Sequence, residues 1–299
     1  MPLTMQDLSG LFTALVTPFQ ADGSLDRAAL TALVERQIAA GAAGVVPIGG
    51  TGEYPALSRA ERAEVVRLCV EAAGGRPVIP GVLSTGFADA VEAGRDFAAA
   101  GAAAVMTVTP YYAAGPQEGM RRYFKEYRDA VGLPVLLYEI PRRTTVAMKA
   151  ETIQAMAEDG SIIGMKYSSY DLPEFIRVIR LAGSKMAVLS GEEPLFATHM
   201  ALGARGGVLA TANVYPERWI EVLELAGKGG LRDALARQAD LDELATAVFA
   251  EVNPGPLKRY MAMAGMPVGG VRLPLVEPSE ATVAGLSAAL AAMSAGARR

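Results

Sequence analysis

Ser161-Ile-Ile-Gly-Met-Lys-Tyr-Ser168 is an apolar run with a single charge, at Lys166, and no other charged residue stands between Ser161 and Tyr170. Its length, its paired isoleucines and the helical patterns on either side mark a strand buried on both faces, as in a parallel sheet. Seven more runs of this kind occur, at 11–17, 44–49, 77–82, 103–109, 134–140, 186–191 and 207–211, so that 162–168 is the sixth in order. Helical patterns fill the gaps. Asp26 opens one with Leu30, Leu33, Val34, Gln37 and Ile38 at helical spacing, and Ser58 with Glu61 reads as a capping box ahead of Val65, Val66, Cys69 and Val70. Eight strand-then-helix units predict an α/β fold of the (β/α)8 TIM barrel type, since doubly wound sheets usually stop at about five or six strands. The rest reads as helices only, at 231–251, 256–264 and 279–294. The predicted organisation is a catalytic barrel over 1–230 and a C-terminal helical domain over 231–299.

Composition narrows the function classes. Of 299 residues, 51% are hydrophobic and 20% charged, with a net charge of −4. That mild acidity, with no cluster of Lys and Arg, argues against a nucleic-acid surface. No run approaches the ~18 continuous apolar residues of a membrane span, and no N-terminal stretch has a basic start followed by an apolar core. The cytoplasm is the expected compartment. The single cysteine, Cys69, excludes an intrachain disulfide and a Cys-based metal site.

A barrel of this type works at the carboxyl ends of its strands, and Lys166 lies at such an end. A lysine amine attacks a carbonyl only when neutral, and an apolar strand supplies the desolvation that favours the neutral form. Alternation puts Ile162, Gly164 and Lys166 on one face, with Gly164 expected to leave space beside the ammonium. A snorkelling lysine, or one paired with a barrel carboxylate, is the alternative. Among the other lysines, Lys125 and Lys258 fall in helical patterns, Lys228 in a Gly-rich turn, and Lys185 at the wrong end of the seventh strand. Lys149 is the only rival, in polar surroundings.

Gly49-Gly50-Thr51-Gly52-Glu53 closes the second strand. Its backbone N–H groups and the Thr51 hydroxyl could converge on a carboxylate or a phosphate, and a tight structural turn accounts for the glycines equally well. A phosphate site is disfavoured by the acidic or neutral residues that end the seventh and eighth strands, Gly191-Glu-Glu and Thr211-Ala-Asn. Tyr112 follows the fourth strand, and Tyr138-Glu-Ile-Pro-Arg-Arg-Thr144 ends the fifth. A phenol beside a lysine imine can move protons, and an arginine fork can hold a carboxylate. In an extended segment Arg142 and Arg143 would point to opposite sides, so one of them is expected to face solvent or a neighbouring subunit. Lys166, Tyr138, Tyr112, Thr51 and Arg143 are expected to converge on one rim. His199, the only histidine, and Trp219 read as packing residues.

Taken together, Gly-Gly-Thr-Gly-Glu at 49–53, Thr-Pro-Tyr-Tyr at 109–112, Tyr-Glu-Ile-Pro-Arg-Arg-Thr at 138–144, Gly-Met-Lys at 164–166, Ser-Gly-Glu-Glu at 190–193 and Asn-Pro-Gly-Pro-Leu-Lys at 253–258 resemble the dihydrodipicolinate synthase and N-acetylneuraminate lyase family of class I lyases, in order and spacing. The resemblance implies that Lys166 forms a Schiff base with pyruvate or another 2-oxo acid, and that Tyr138 moves protons at the imine. It implies that Thr51 and the backbone around Gly50 bind the pyruvate carboxylate, and that Val208 presents a backbone carbonyl. Tyr112 would act across a dimer interface, and Arg143 would receive the second substrate's carboxylate. No metal or organic cofactor is implied, the imine serving as electron sink, and the expected assembly is a dimer of dimers. Partners would be small 2-oxo acids and aldehydes. The nearest named activity is 4-hydroxy-tetrahydrodipicolinate synthase, beside a 2-keto-3-deoxy acid aldolase or dehydratase; a non-catalytic 2-oxo acid-binding barrel is the reading of another class. Gly50 lacks the hydroxyl that links two tyrosines in the synthases. Glu139, in place of a usual Asn, and Tyr167-Ser168-Ser169 are expected around the second substrate. Thr85, where lysine-inhibited synthases commonly have Asn, gives no support for lysine feedback.

Overall fold

The structure, a computed structural model, describes residues 3–296; positions 1–2 and 297–299, at the outer ends of the two predicted segments, lie outside the described residues. Eight strands form one sheet: β1 (Gly10–Ala14), β2 (Gly44–Val46), β3 (Gly81–Val82), β4 (Val105–Val108), β5 (Val135–Glu139), β6 (Gly164–Tyr167), β7 (Ala187–Ser190) and β8 (Gly206–Leu209). All neighbours are parallel, in the order β2-β1-β8-β7-β6-β5-β4-β3. The ring is closed between β2 and β3 by a bridge of Val45 to Val78, with Val45 N donating to Pro77 O at 3.0 Å and Ile79 N to Val45 O at 2.9 Å. Each predicted strand has its counterpart. Those at 44–49 and 77–82 are the most shortened, because Pro47, Pro77 and Pro80 have no N–H to give to a ladder.

Alternation sorts the strand residues into two cores. Phe12, Val46, Met106, Val108, Leu136, Tyr138, Leu189 and Val208 fill the barrel interior, while Val45, Val105, Val135, Leu137, Met165 and Tyr167 pack outward against the helices. Local chemistry starts those helices as expected. Asp26 caps Arg27–Ala39 by accepting from Ala29 N, and Ser58 with Glu61 forms a complete capping box on Arg59–Ala72. Cys69 is buried there. Beyond the eighth unit, helices Leu231–Val248, Gly255–Met263 and Glu280–Gly296 pack on one another, and the first of them also packs on helix Pro216–Gly227.

His199 belongs to the layer between barrel and helices. It lies in helix Phe196–Ala201, with its ring stacked on Phe175 at 4.0 Å and Nδ1 2.9 Å from the Ser190 hydroxyl. Trp219 is likewise buried, donating from Nε1 to Thr211 Oγ1 at 2.9 Å. Burial holds the His199 imidazole down to about 4. The unfolded chain therefore binds the extra proton first as pH falls, so His199 contributes stability above its ordinary value of 6.5 that is lost on acidification through about 4. At about 1.4 kcal/mol per pKa unit the loss is about 3 kcal/mol. His199→Gln should lose less stability than the wild type between about pH 7 and about pH 4, read from urea unfolding at each pH. Equal losses in both proteins would remove His199 as the source.

Candidate active site

Lys166 is the third residue of β6, in register with Tyr138 of β5 and Leu189 of β7. Its parity turns it inward, where it is only 8% exposed, with Nζ 4.7 Å from the centre of the Tyr138 ring. The glycine that makes room for it is not Gly164. A Cβ on Gly164 would meet Leu8 Cδ1 at 2.8 Å, so that glycine admits the plug at the barrel floor. Gly191, at the end of the next strand, is the one that matters to the lysine. A Cβ there would stand 2.7 Å from Lys166 Cε and 2.1 Å from Ser168 Oγ. Ser168 shares the inward face and donates to Gly191 O at 3.2 Å.

Lys166 is solitary along the sequence but not in space. Gly191 is followed by Glu192 and Glu193, both buried. Burial pushes both carboxyls above the usual range, opposed first by Arg142 at Glu192 and by the Ala210 N–H at Glu193, with the charge of Lys166 adding a smaller pull on each. Glu193 accepts from the N–H groups of Ala210 at 2.7 Å and Thr211 at 3.3 Å, which ties the ends of β7 and β8 together. Glu192 is paired with Arg142. This corrects the expectation that one arginine of the pair turns away. Pro141–Thr144 is a helical turn, not an extended segment, so Arg142 and Arg143 both line the Lys166 cleft. Their states differ: Arg142 is neutralised by Glu192, whereas Arg143 makes no ion pair among the described residues.

The 49–53 loop is held from the far end of the chain. Thr51 Oγ1 accepts from Asn253 Nδ2 at 2.8 Å, and both residues line the cleft. Glu53, buried with a left-handed φ of 58°, is ion-paired to Lys258 at 2.7 Å and accepts from Arg272 N at 2.9 Å. Lys258, which closes the 253–258 motif in a helical pattern, is thus a buried charge whose ammonium also donates to Gly270 O at 2.7 Å. Burial draws Lys258 below its ordinary value while the Glu53 carboxylate resists. Asn253 was the residue least readable in advance: 202 positions separate it from Thr51, and nothing local to it points to that contact.

Gly50, Thr51, Tyr138, Arg143, Lys166 and Val208 border one small cleft of about 30 Å³. Gly50, Tyr138 and Arg143 also border an adjoining cavity of about 240 Å³, walled on its outer side by Val252, Arg272, Pro274 and Leu275. A Cβ on Gly50 would lie 3.4 Å from an Arg143 guanidinium nitrogen, which is ordinary contact. Tyr112 does not join the others within this chain. It is 95% exposed and held at a left-handed φ of 72°. Glu139 and Tyr167 correct a second expectation: their parity points them outward, away from any substrate, and of the 167–169 trio Ser168 is the one that faces Lys166. Thr85 borders a separate hollow with Ser84 and Asp89. Lys149 is exposed, as expected. Among the described residues no three His, Cys, Asp or Glu side chains converge on a metal position, and no helix is long and apolar enough to cross a membrane.

A closed parallel barrel with a buried lysine at the carboxyl end of its sixth strand, beside a tyrosine and an arginine that no carboxylate pairs among the described residues, has the frame of a lysine-dependent barrel lyase. The chain belongs to the dihydrodipicolinate synthetase family, whose sequence model matches residues 7–293. It is 44% identical to the 4-hydroxy-tetrahydrodipicolinate synthase of Sorangium cellulosum (strain So ce56) over 278 residues, 92% of each chain. It is 41% identical to that of Hyphomonas neptunium over 94% of this chain and 97% of the relative. Among solved structures it resembles dihydrodipicolinate synthase from Aquifex aeolicus (TM-score 0.92, 32% identity, 96% of this chain and 98% of that one). It also resembles the chloride-inhibited dihydrodipicolinate synthase from Acinetobacter baumannii complexed with pyruvate (TM-score 0.92, 34% identity, 96% and 99%).

The space beside the lysine can be tested through Gly191. Gly191→Ala should lose about 1–3 kcal/mol in urea unfolding, the scale of an overpacked core. Ser168→Ala in the same background should return part of that loss, because the shortest clash, with the Ser168 hydroxyl, is then gone. A Gly191→Ala protein as stable as the wild type would show that the wall yields and that the glycine is not required.

Proposed function

We propose that this chain is a Schiff-base lyase in which Lys166 condenses with pyruvate, and that its nearest activity is the joining of pyruvate to aspartate semialdehyde that the name 4-hydroxy-tetrahydrodipicolinate synthase describes. The observation that carries the reading is the Lys166 amine, buried against the Tyr138 ring in a cleft bordered by the 49–53 loop and by Arg143. The pyruvate complex of the Acinetobacter baumannii relative supports it.

In this mechanism neutral Lys166 attacks C2 of pyruvate, and the carbonyl oxygen leaves as water to give a protonated imine. Loss of a methyl proton, with Tyr138 as carrier, gives the enamine. Its carbon attacks the aldehyde, whose oxygen takes up a proton, and water then releases the product and frees the lysine. Thr51 and the Gly50 backbone hold the pyruvate carboxylate, Val208 offers a backbone carbonyl, and Arg143 receives the carboxylate of the second substrate. Because the imine is the electron sink, neither a metal nor an organic cofactor is required. Tyr112 acts in a neighbouring copy's site within a dimer of dimers, a role supported by its near-complete exposure in the single chain. The segment beyond 230 completes the site through Asn253 and Lys258.

Gly50 favours a second reading, a 2-keto-3-deoxy acid aldolase or dehydratase, because no hydroxyl at position 50 can join Tyr138 to Tyr112. A screen of 2-oxo acids and aldehydes with products identified by mass separates the two. Borohydride with pyruvate should add the reduced pyruvyl mass to the peptide containing Lys166. Trapping at Lys149, or none, overturns the assignment, and trapping without turnover of any aldehyde or deoxy acid favours the non-catalytic barrel. Arg143→Ala should cut turnover at least about tenfold, the value of a lost charge-assisted fork, and should spare trapping with pyruvate. Arg142→Ala, whose guanidinium already belongs to Glu192, should lose less turnover. The reverse order would move the second substrate to Arg142.

A further inference from the structure

Glu139 stands one residue past Tyr138 on β5 but on the other side of the barrel wall, and both of its oxygens are engaged. Oε1 accepts the N–H of Met148 at 3.0 Å, and Oε2 accepts the hydroxyl of Thr109 at 2.5 Å. Met148 ends the segment that leaves the Pro141–Thr144 turn, with its side chain buried. Thr109 is the last residue before Pro110-Tyr111-Tyr112, and its own N–H donates to Tyr138 O at 3.0 Å. One buried carboxylate therefore joins the roots of two loops, the one that bears Tyr112 and the one that bears Arg142 and Arg143.

We propose that Glu139 is a positioning residue for the second-substrate half of the site, acting through Thr109 and Met148 to fix the Tyr112 loop and the Arg143 turn relative to each other. The proposal rests on the reading of Arg143 as the holder of the second carboxylate. Glu139 touches no substrate. A structural filler at this position would need no charge, since the outward face of β5 is otherwise occupied by Val135 and Leu137. What a carboxylate adds is two acceptors aimed at donors on two different loops, and a charge-assisted bond is roughly twice as strong as a neutral one.

The surroundings make that charge conditional. Facing Glu139 are Tyr167 of β6, whose phenol its charge helps to raise, and Glu174 of helix Leu172–Ala182. Glu174 is itself committed to Ala150 N at 2.8 Å and Arg177 at 3.3 Å, and no cation pairs with Glu139 among the described residues. Burial, opposed by the two donors and reinforced slightly by Glu174, pushes the Glu139 carboxyl up to about 7. When it takes a proton, that O–H must donate to Thr109 Oγ1, and the Thr109 hydrogen turns to Tyr138 O at 3.3 Å. The loops stay joined, but by neutral bonds, about half as strong as charge-assisted ones. The tie is therefore strongest above the Glu139 pKa and loosens as pH falls through it.

The test measures KM and kcat for aspartate semialdehyde across pH, with borohydride trapping of pyruvate at Lys166 as the reference for the other half of the site. Glu139→Gln keeps the shape and removes the charge. It should raise KM for the aldehyde about tenfold above pH 7, the low end of what one charged hydrogen bond is worth. It should also erase the part of the wild-type pH profile that falls through about 7. Thr109→Val breaks the other end of the tie and should reproduce the KM shift, so the idea does not hang on one variant folding. Amide exchange in peptides covering 109–113 and 141–149 should quicken in both variants, a readout that needs no turnover. Unchanged KM and exchange in both variants overturns the proposal, and so does trapping that weakens in step with the aldehyde KM. Failure of trapping in the wild type would instead strike the Schiff-base reading itself.

Discussion

Side chains on a strand alternate between its two faces, and in a closed barrel those faces have opposite destinations. This two-residue period governs nearly everything described above. It places Tyr138 inside and Glu139 outside, Lys166 inside and Tyr167 outside, on strands paired so that like faces like. The inner face becomes a closed pocket floor where Leu8, Phe12 and other apolar side chains pack beneath the level of the lysine. The outer face becomes a scaffold because its residues meet helices and loop roots. A one-residue slip in β5 or β6 would exchange the two roles, but the chain has apolar residues on both faces of each strand, so burial alone does not hold the register. The parallel backbone ladder and the close glycine contacts help to hold it instead. Gly164 and Gly191 each meet a neighbouring strand or side chain with no room to spare.

The second organising contact is the pair of buried charges at Glu53 and Lys258. Two ions taken out of water gain little net stability from each other, but losing either partner leaves an unpaired charge in the interior, at about 3–5 kcal/mol. Such a pair specifies geometry more than it stabilises. Here it dictates that the loop following β2 meets the helix Gly255–Met263, which in turn brings Asn253 onto Thr51. Phe19 lies under both cations at this junction, Lys258 at 4.2 Å and Arg272 at 4.3 Å from its ring centre, so an aromatic face supports them.

The fold was legible because its signal is repetitive. Eight apolar runs with capped helices between them admit few other arrangements, and Lys166 was conspicuous as a lone charge in one of them. What escaped the sequence was of two kinds. Local geometry misled where a helical turn replaced an extended segment, which brought Arg142 into the cleft beside Arg143. Long-range geometry was invisible: Asn253 reaches Thr51, and Glu193 reaches the ends of β8, through contacts that no local pattern announces. Glu139 departs from the family pattern and so draws the eye toward the substrate, although the parity of Tyr138 alone determines that it faces the other way. The space beside Lys166 belongs to Gly191 rather than Gly164 because the neighbour that matters lies on the next strand, which the linear order of residues does not reveal.

The contact between Thr51 and Asn253 also bears on the order in which the molecule comes into being. A ribosome delivers residues 51, 138 and 166 well before it delivers 253 and 258. Throughout that interval the chain has its lysine and its tyrosine but not the amide that fixes the threonine, nor the ammonium that neutralises Glu53. A barrel-length nascent chain would thus hold an uncompensated carboxylate at the edge of an unfinished pocket. The 49–53 loop thus takes its final supports from residues made some two hundred positions later, so its settled geometry is a late event in the life of the chain.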